Sequence, residues 1–303
     1  MMKAELPNSM QGKTVVITGA NSGIGKAACM ALAKQGAQIV MVCRNQEKGE
    51  LARKDIIACS SNQQIDLFIC DLASQQQIRR LAVELTTKFD RIDVLINNAG
   101  ILMPDRQLSE DVIELTFATN HLAYFLLTRL LLKTLNNTPF SRIINMASGA
   151  HQIIRQVDFD NLQGEKSYNQ WQAYGLSKLA NILFTYELSR RQPQYGATVN
   201  CMHPGVVSTN FGQKKFNAGW IKLGFKILKP FIRTAEQGAE TCVFLASSSE
   251  VKGISGKYFD TCKAVRSSAI SYEPHIATRF WEISEQLTGL NQPEPLFTRK
   301  LQQ

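Results

Sequence analysis

Tyr174 and Lys178 are the residues whose types and spacing most directly indicate chemistry in this chain. They lie four positions apart in a segment, ending near Arg191, whose apolar residues recur at helical spacing, so both side chains would share one helix face. A tyrosine with an ordinary pKa of about 10 is a poor base at neutral pH. A cation about 4 Å away would favour the phenolate by about 4 kcal/mol at an effective dielectric constant of about 20. The pair therefore predicts acid–base chemistry; the alternative is a Tyr–Lys pair on a solvated helix face.

Composition limits the classes of protein to which the chain can belong. A hydrophobic fraction of 44% and a charged fraction of 19% over 303 residues indicate a globular protein. The seven cysteines are dispersed singly, which predicts reduced thiols with neither a disulfide framework nor a metal site. The net charge of +9 is not accompanied by a nucleic-acid motif, so an anionic cofactor or an anionic membrane surface is favoured over nucleic acid. Without a signal peptide or a transmembrane run, a cytoplasmic location is expected.

A glycine-rich turn follows the first predicted strand, Thr14 to Thr18, and leads into a helix that runs to Lys34. Strand, glycine turn and helix together place backbone N–H groups and a positive helix end against a pyrophosphate. An ordinary strand-to-helix turn is the alternative. The predicted phosphate-binding residues are Gly19, Asn21, Ser22, Gly23, Ile24 and Gly25.

The ends of the second and third predicted strands carry charged residues. Arg44 follows the second strand, where an acidic residue would favour NAD and an arginine favours the 2′-phosphate of NADP(H); a solvent-facing arginine is the alternative. Asp71 and Leu72 follow the third strand, and Asp71 is placed either to bond the adenine amino group or to cap a helix that begins near Ser74.

The later strand ends supply the remaining candidates. Asn97, Ala99 and Gly100 follow the fourth strand, where small residues allow close approach to a ligand and Asn97 could bridge neighbouring strands. Ser148 ends the fifth strand and points into the ligand crevice. The sixth strand ends in a turn that could meet a flat ring, with cofactor contacts at Pro204, Gly205, Val207 and Thr209.

Asn120 lies among apolar positions of a helix predicted over residues 111–135. Such an amide either satisfies a local backbone group or bends the helix around a bound water. His121 and His203 are interpreted as structural.

The regular alternation of strands and helices predicts a single-domain α/β Rossmann fold, a doubly wound parallel sheet of about seven strands with helices on both faces. The predicted limits are an N-terminal extension at 1–12, the domain at 13–290 and a tail at 291–303, with a substrate lid near 208–234. Within 220–233 the basic residues form one helical stripe beside apolar positions. This pattern fits a peripheral membrane contact and a lid over an apolar pocket equally well.

Six short motifs occur in a fixed order: TGANSGIG at 18–25, NNAG at 97–100, Asn120, Ser148, YxxxK at 174–178 and HPG at 203–205. With these motifs the chain resembles the short-chain dehydrogenase/reductase family over nearly all of 13–290. Further stretches resemble its retinol dehydrogenase branch: CR at 43–44, NLQGEK at 161–166, YN at 168–169, SKLANILF at 177–184 and EQGA at 236–239.

The resemblance implies catalytic roles for four residues. Tyr174 would be the general acid/base and Lys178 would lower its pKa and hold the nicotinamide ribose, while Ser148 would bond the substrate oxygen and Asn120 would hold a relay water. The implied enzyme is an NADP(H)-dependent oxidoreductase that interconverts a lipophilic aldehyde or ketone and its alcohol, with retinal as an example. Ala147 departs from the family, in which many members have a second serine there, and the N-terminal anchor of membrane-bound members is absent.

Two other functions remain open at this point. A protochlorophyllide reductase shares the fold and the Tyr–Lys pair, although the turn at 203–206 lacks the expected cysteine. A non-catalytic NADP-binding interaction protein would need none of the four catalytic groups. Self-association is expected through the helices that carry Asn120 and Tyr174, although core packing would explain the same apolar residues.

Overall fold

The carboxyl ends of seven parallel strands form one edge of the sheet. A computed structural model describes residues 9–194, 196–206 and 233–291. The strand order is β3-β2-β1-β4-β5-β6-β7-β8, and all neighbouring pairs are parallel except β7 with β8. The strands are β1 Thr14–Thr18, β2 Gln38–Cys43, β3 Ile65–Ile69, β4 Val94–Asn97, β5 Arg142–Met146, β6 Thr198–Met202, β7 Lys257–Asp260 and β8 Lys263–Val265.

The predicted Rossmann architecture is confirmed, with one strand more than the seven expected. The additional strand β8 is a short, exposed edge strand, so it has no buried apolar pattern by which the sequence could reveal it. It is reached through a tight turn at Thr261 and Cys262, both of which have positive φ angles.

Helices cover both faces of the sheet. One core contains apolar residues of α1, α2 and α7, and the other contains residues of α3, α5, α6 and α8. The helices are α1 Gly23–Lys34, α2 Gln46–Ser60, α3 Gln75–Lys88, α4 Leu115–Phe117, α5 Ala123–Asn137, α6 Gln170–Arg191, α7 Ala235–Ser247 and α8 Pro274–Thr288.

The helix predicted over 111–135 begins later than expected and is not continuous. Glu114 caps it, accepting hydrogen bonds from Thr116 N at 2.9 Å and Phe117 N at 2.7 Å, and its own N–H is held by Gln163 Oε1 at 3.1 Å. A π-helical turn, Ala118–Leu122, separates α4 from α5. Such turns insert an extra residue and occur often at functional sites.

Most of the apolar residues of α5 and α6, the helices expected to mediate self-association, are core residues of this chain. Phe125, Leu126, Leu131 and Leu183 are fully buried, and Trp281 of α8 packs on Phe125 with ring centroids 5.1 Å apart. The C-terminal helix therefore covers α5 and α6 from within the same chain. Self-association stays a prediction, but these residues do not support it because they are buried within a single chain.

Across residues 9–194, 196–206 and 233–291, no helix has both the length and the apolarity to cross a bilayer. The predicted lid, the basic stripe up to residue 232, and two of the predicted cofactor contacts, Val207 and Thr209, lie outside the described residues. Thr234 caps α7 through a capping box with Gln237, so the predicted lid region overlaps the start of the domain's next helix.

Candidate active site

Most of the described candidate residues follow or end parallel strands, which places them at the carboxyl edge of the sheet. Gly19, Arg44 and Ser148 come one or two residues after β1, β2 and β5. Pro204 and Gly205 follow β6, while Tyr174 and Lys178 come from the N-terminal half of α6. Parallel sheets bind ligands at this edge.

Tyr174 and Ser148 lie on the same side of this edge, and the Ser148 side chain is near enough to Tyr174 to oppose the rise in the pKa of the phenol. Asn169 fixes the start of α6 by accepting hydrogen bonds from Trp171 N at 3.0 Å and Gln172 N at 3.1 Å. Ser148 is positioned at the start of a short 3₁₀ turn, where its Oγ accepts a hydrogen bond from Ala150 N at 3.2 Å. The two hydroxyl groups can therefore meet one substrate oxygen.

Lys178 is almost completely buried, with 2% of its surface exposed. Its Nζ donates to Met146 O at 3.0 Å and lies between two aromatic rings, 5.5 Å from the centroid of Tyr124 and 5.7 Å from that of Tyr174. Burial lowers the pKa of Lys178 to about 7. The ammonium is thus held near the phenol ring but is bonded to a backbone carbonyl.

The expectation that Lys178 lowers the pKa of Tyr174 is wrong for the structure described here. Burial raises the pKa of Tyr174, and the hydrogen bond with Ser148 opposes this only in part. The reason is that the phenol loses water while the ammonium, itself destabilised by burial, does not contact the hydroxyl. Tyr174 consequently keeps its proton at neutral pH.

Asn120 lies in the π-helical turn with all of its side chain engaged. Its Oδ1 accepts from Ile101 N at 2.7 Å, and its Nδ2 donates to Ile101 O at 2.9 Å and to Ser177 Oγ at 3.0 Å. Its backbone carbonyl accepts from Asn181 Nδ2 at 2.9 Å. The backbone groups that the side chain satisfies are 19 residues away in sequence and not local as predicted, so Asn120 ties the loop after β4 to α6.

The glycine-rich turn forms a cradle that a side chain would fill. Gly19 has φ +66°, and a Cβ on Gly25 would lie 2.3 Å from Gly19 O. Ser22 is the N-cap residue of α1, but its side chain makes no capping hydrogen bond. The first N–H groups of the helix are therefore not satisfied by the capping side chain. Exposed N–H groups at a helix start are suited to an anionic group. These residues fit the phosphates of a dinucleotide.

Comparison with known proteins agrees with this geometry. A family model described as short chain dehydrogenase matches residues 13–219. The chain belongs to the short-chain dehydrogenase family. It is an oxidoreductase of a family that uses nicotinamide cofactors, and the interpretation as a non-catalytic interaction protein is rejected.

Its similarity to individual family members is extensive. It is 40% identical to human retinol dehydrogenase 13 over 298 residues, covering 96% of this chain and 88% of that protein. It is 41% identical to human retinol dehydrogenase 11 over 281 residues, covering 93% and 87%. The resemblance to the retinol dehydrogenase branch is confirmed.

Solved structures show the same fold. A protein from Mycobacterium paratuberculosis, 31% identical, superposes with a TM-score of 0.75 over 94% of this chain and 96% of that chain. A short chain dehydrogenase from Shigella flexneri 2a, solved in complex with NADP, is 24% identical and has a TM-score of 0.65, covering 85% of this chain and 100% of that chain.

Asn97, which was predicted to bridge strands, joins β4 to β5 through its side chain in this short-chain dehydrogenase, and its neighbour Asn98 joins β4 to β1. The Asn97 side chain is buried, and its Nδ2 donates to Thr128 Oγ1 at 2.9 Å and to Asn145 Oδ1 at 2.8 Å. Asn98 instead links β4 to β1, donating from Nδ2 to Thr18 O at 2.8 Å and from its backbone to Thr18 Oγ1 at 2.9 Å. Asn97 is completely buried, and its contact with a cofactor stays a prediction.

Arg44 and Asp71 follow β2 and β3, where the adenosine of the cofactor is predicted to bind. Arg44 is exposed, and neither an ion pair nor a hydrogen bond links it to another described residue. Asp71 Oδ1 accepts from Ala73 N at 3.0 Å, whereas Ser74 caps α3. Of the two roles considered for Asp71, helix capping is therefore wrong, and contact with adenine stays a prediction.

Sequence reasoning missed three residues that support the catalytic groups. Tyr124 provides the second ring beside Lys178, and its hydroxyl donates to Ala99 O at 2.7 Å. Asn181 donates to the same Met146 carbonyl as Lys178, at 3.2 Å. Tyr124 lies four residues after Asn120 and Asn181 three after Lys178, so helical spacing from the known motifs could have identified both.

His151 is the third missed residue. It is buried, and its Nδ1 lies 2.6 Å from Ser148 O while its Nε2 accepts from Ser268 N at 3.1 Å. These contacts assign the proton to Nδ1, and burial lowers the pKa of His151. No local spacing indicates this role, since Ser268 is 117 residues away. His121 is structural as expected: it bridges Asn181 and Ser284, and burial lowers its pKa to about 4.

Proposed function

We propose that this short-chain dehydrogenase is an NADP(H)-dependent carbonyl reductase for a lipophilic aldehyde or ketone, with retinal-like aldehydes as the first candidates. The observation that carries the proposal is the proximity of the Ser148 and Tyr174 side chains to each other and to the buried Lys178. The pair lies at the same sheet edge as the glycine turn. When bound, the reduced nicotinamide supplies a hydride to the carbonyl carbon.

The residues of the chain supply the proton and the orientation. Ser148 and Tyr174 together bind the carbonyl oxygen, which polarises it. Tyr174 then donates its proton to that oxygen as negative charge develops there. The raised pKa of Tyr174 suits this direction, because the phenol is protonated at neutral pH before the reaction. Lys178, held on Met146 O, places its ammonium 5.7 Å from the centre of the phenol ring.

Arg44 supports a preference for NADP(H) over NAD(H). Its guanidinium follows β2, is exposed, and has no carboxylate partner among the residues that the structure describes. A planar guanidinium matches the 2′-phosphate in two parallel hydrogen bonds. The residue at this strand end is not acidic. A carboxylate there would favour NAD(H), which has a free 2′-hydroxyl.

A lipophilic substrate is supported by two observations. The similar proteins are named retinol dehydrogenases. In addition, two large apolar side chains close in sequence to the catalytic hydroxyl groups are exposed, Ile153 to 52% and Trp171 to 46%. Exposed apolar side chains beside a reacting centre favour a substrate with a hydrocarbon body.

A cofactor and substrate screen tests the proposal. Purified protein is incubated with NADPH or NADH and with all-trans-retinal, then with a panel of aldehydes and ketones, and cofactor oxidation is followed. We expect turnover of at least one apolar carbonyl with NADPH preferred. Arg44→Ala should reduce the preference for NADPH over NADH by about tenfold, the equivalent of one charge-assisted hydrogen-bond pair. Absence of turnover with every carbonyl would refute the proposed reductase activity. An unchanged cofactor preference in Arg44→Ala would refute the proposed role of Arg44.

A further inference from the structure

The peptide bond between Pro204 and Gly205 is held from both sides by polar side chains. Arg233 Nη1 donates to Pro204 O at 3.2 Å. The N–H of Gly205 donates to His203 Nδ1 at 3.1 Å. Because the carbonyl and the N–H of one planar peptide are both bonded, the plane of this peptide cannot rotate without breaking one of the two bonds.

Asp260, the last residue of β7, connects the two contacts. Its Oδ2 lies 3.4 Å from His203 Nε2, and its Oδ1 lies 3.7 Å from Arg233 Nη1. Since His203 Nδ1 accepts a hydrogen bond, the imidazole proton is assigned to Nε2, which faces Asp260. One carboxylate thus orients both groups that hold the peptide. The interpretation of His203 as a packing residue omitted this role, although His203 does also stack on Tyr258 with ring centroids 5.8 Å apart.

Two unusual backbone conformations lie against the same guanidinium. Thr261 has φ +49°, which costs a β-branched residue about 1–2 kcal/mol. Its hydroxyl accepts from Arg233 Nη2 at 3.1 Å and donates to Asp260 Oδ1 at 2.8 Å. Gly205 has φ +80°, and a Cβ there would lie 2.8 Å from Arg233 Cδ. The strained hairpin turn and the absence of a side chain at Gly205 both allow Arg233 to reach the peptide.

We propose that His203, Asp260 and Arg233 form a peptide clamp that orients the Pro204–Gly205 peptide toward the nicotinamide end of the cofactor. The three are positioning residues, because they act on the backbone and not on the reacting atoms. The proposal rests on the proposed function, because it takes this turn, which the sequence predicts to meet a flat ring, to lie at the nicotinamide. A fixed peptide presents its polar groups without reorganisation when the cofactor binds, and this favours tight and productive binding of the nicotinamide half.

The test separates the two halves of the cofactor. Dissociation constants are measured for NADPH and for adenosine 2′,5′-bisphosphate, which lacks the nicotinamide, together with kcat on the best carbonyl. The variants are Arg233→Met, which keeps the length of the side chain, Arg233→Lys, which keeps its charge, and Thr261→Val, which keeps its shape. Arg279→Met is the matched control, since Arg279 is exposed and pairs only with Glu282 among the described residues.

We expect Arg233→Met to bind NADPH about tenfold more weakly and to bind the bisphosphate as the wild type does. Arg233→Lys should recover part of the loss, and Thr261→Val should show a smaller loss of the same kind. Unchanged NADPH affinity in Arg233→Met, or an equal loss for both ligands, would overturn the clamp. If Arg233→Met does not fold, Arg233→Lys and Thr261→Val provide the test. Each is judged by its loss of affinity for NADPH relative to its loss of affinity for the bisphosphate. Failure of the wild type to bind NADPH would instead contradict the proposed function.

Discussion

The two halves of the sheet edge prepare the site by different means. Around β1 to β3 the chain makes room for a ligand with the backbone itself: Gly25 packs so closely on Gly19 O that a Cβ would lie 2.3 Å from it. Around β5 to β8 the chain uses side chains that hold backbone groups, as His151 holds Ser148 O at 2.6 Å. The first half depends on missing atoms, and the second depends on hydrogen bonds between distant segments.

This difference predicts opposite sensitivity to added and removed atoms. A methyl group should be intolerable in the glycine half and harmless at an open glycine of the other half. Removal of a polar group should have graded effects in the second half only.

The largest effect is expected from Gly25→Ala. The added Cβ would displace the Gly19 carbonyl and the Asn98 amide, whose Nδ2 would lie 2.6 Å away. A displacement of about 1 Å in the phosphate cradle should weaken NADPH binding about a hundredfold or more. Gly149→Ala is the matched control, because no atom lies within 4 Å of its added Cβ. The comparison fails if both variants bind NADPH equally well in fluorescence titrations.

A tenfold effect is expected from His151→Phe. This change removes the hydrogen bonds to Ser148 O and Ser268 N, which belong to two half-buried residues. We expect a loss of about 2 kcal/mol in the free energy of unfolding and a roughly tenfold lower kcat, with the KM for NADPH unchanged. His151→Asn, which can still donate to Ser148 O, should have a stability and a kcat between those of the wild type and His151→Phe.

The exposed His275 provides the control for that series. His275→Phe should leave kcat and stability unchanged. If His151→Phe lowers stability but leaves kcat at the wild-type value, His151 only supports packing and does not position Ser148.

The smallest effect is a pH dependence of stability that Lys178 confers. Its pKa is lowered by burial to about 7, whereas lysine in an unfolded chain titrates near 10.4. Between these values the unfolded chain binds more protons than the folded one, so stability increases as pH rises. From pH 7 to pH 9 the wild type should therefore gain up to about 1 kcal/mol per pH unit relative to Lys178→Met in urea titrations.

The exposed Lys166 serves as the control here. Lys166→Met should follow the wild type at every pH. A constant difference between wild type and Lys178→Met across this range would show that Lys178 titrates as an ordinary lysine.

Sequence reasoning succeeded where function depends on local spacing. The bounds of β1, the glycine turn and the Tyr174–Lys178 spacing are all local patterns, and the structure agrees with each. The start of α4 was misplaced because Glu114 is held by Gln163, 49 residues away. Burial is likewise a property of the whole fold, so the pKa of Tyr174 could not be derived from its spacing to Lys178.

The same limit explains which supporting residues were found. Asn98 was missed although it is part of the NNAG motif, because residue type alone does not show which of two asparagines points along the sheet. The peptide clamp joins Arg233 to Pro204, 29 residues apart, and to Asp260 on another strand. Partners of this kind become visible only when the strands are placed side by side.

Replacement of Tyr174 by phenylalanine tests the central claim most directly. NADPH oxidation is measured in a single turnover with the best carbonyl from the screen, alongside the dissociation constant for NADPH. We predict a rate about a thousandfold lower than that of the wild type, with the NADPH dissociation constant within about twofold, because only the proton donor is lost. A phenylalanine variant that retains more than about a tenth of the wild-type rate would contradict the assignment of Tyr174 as the acid.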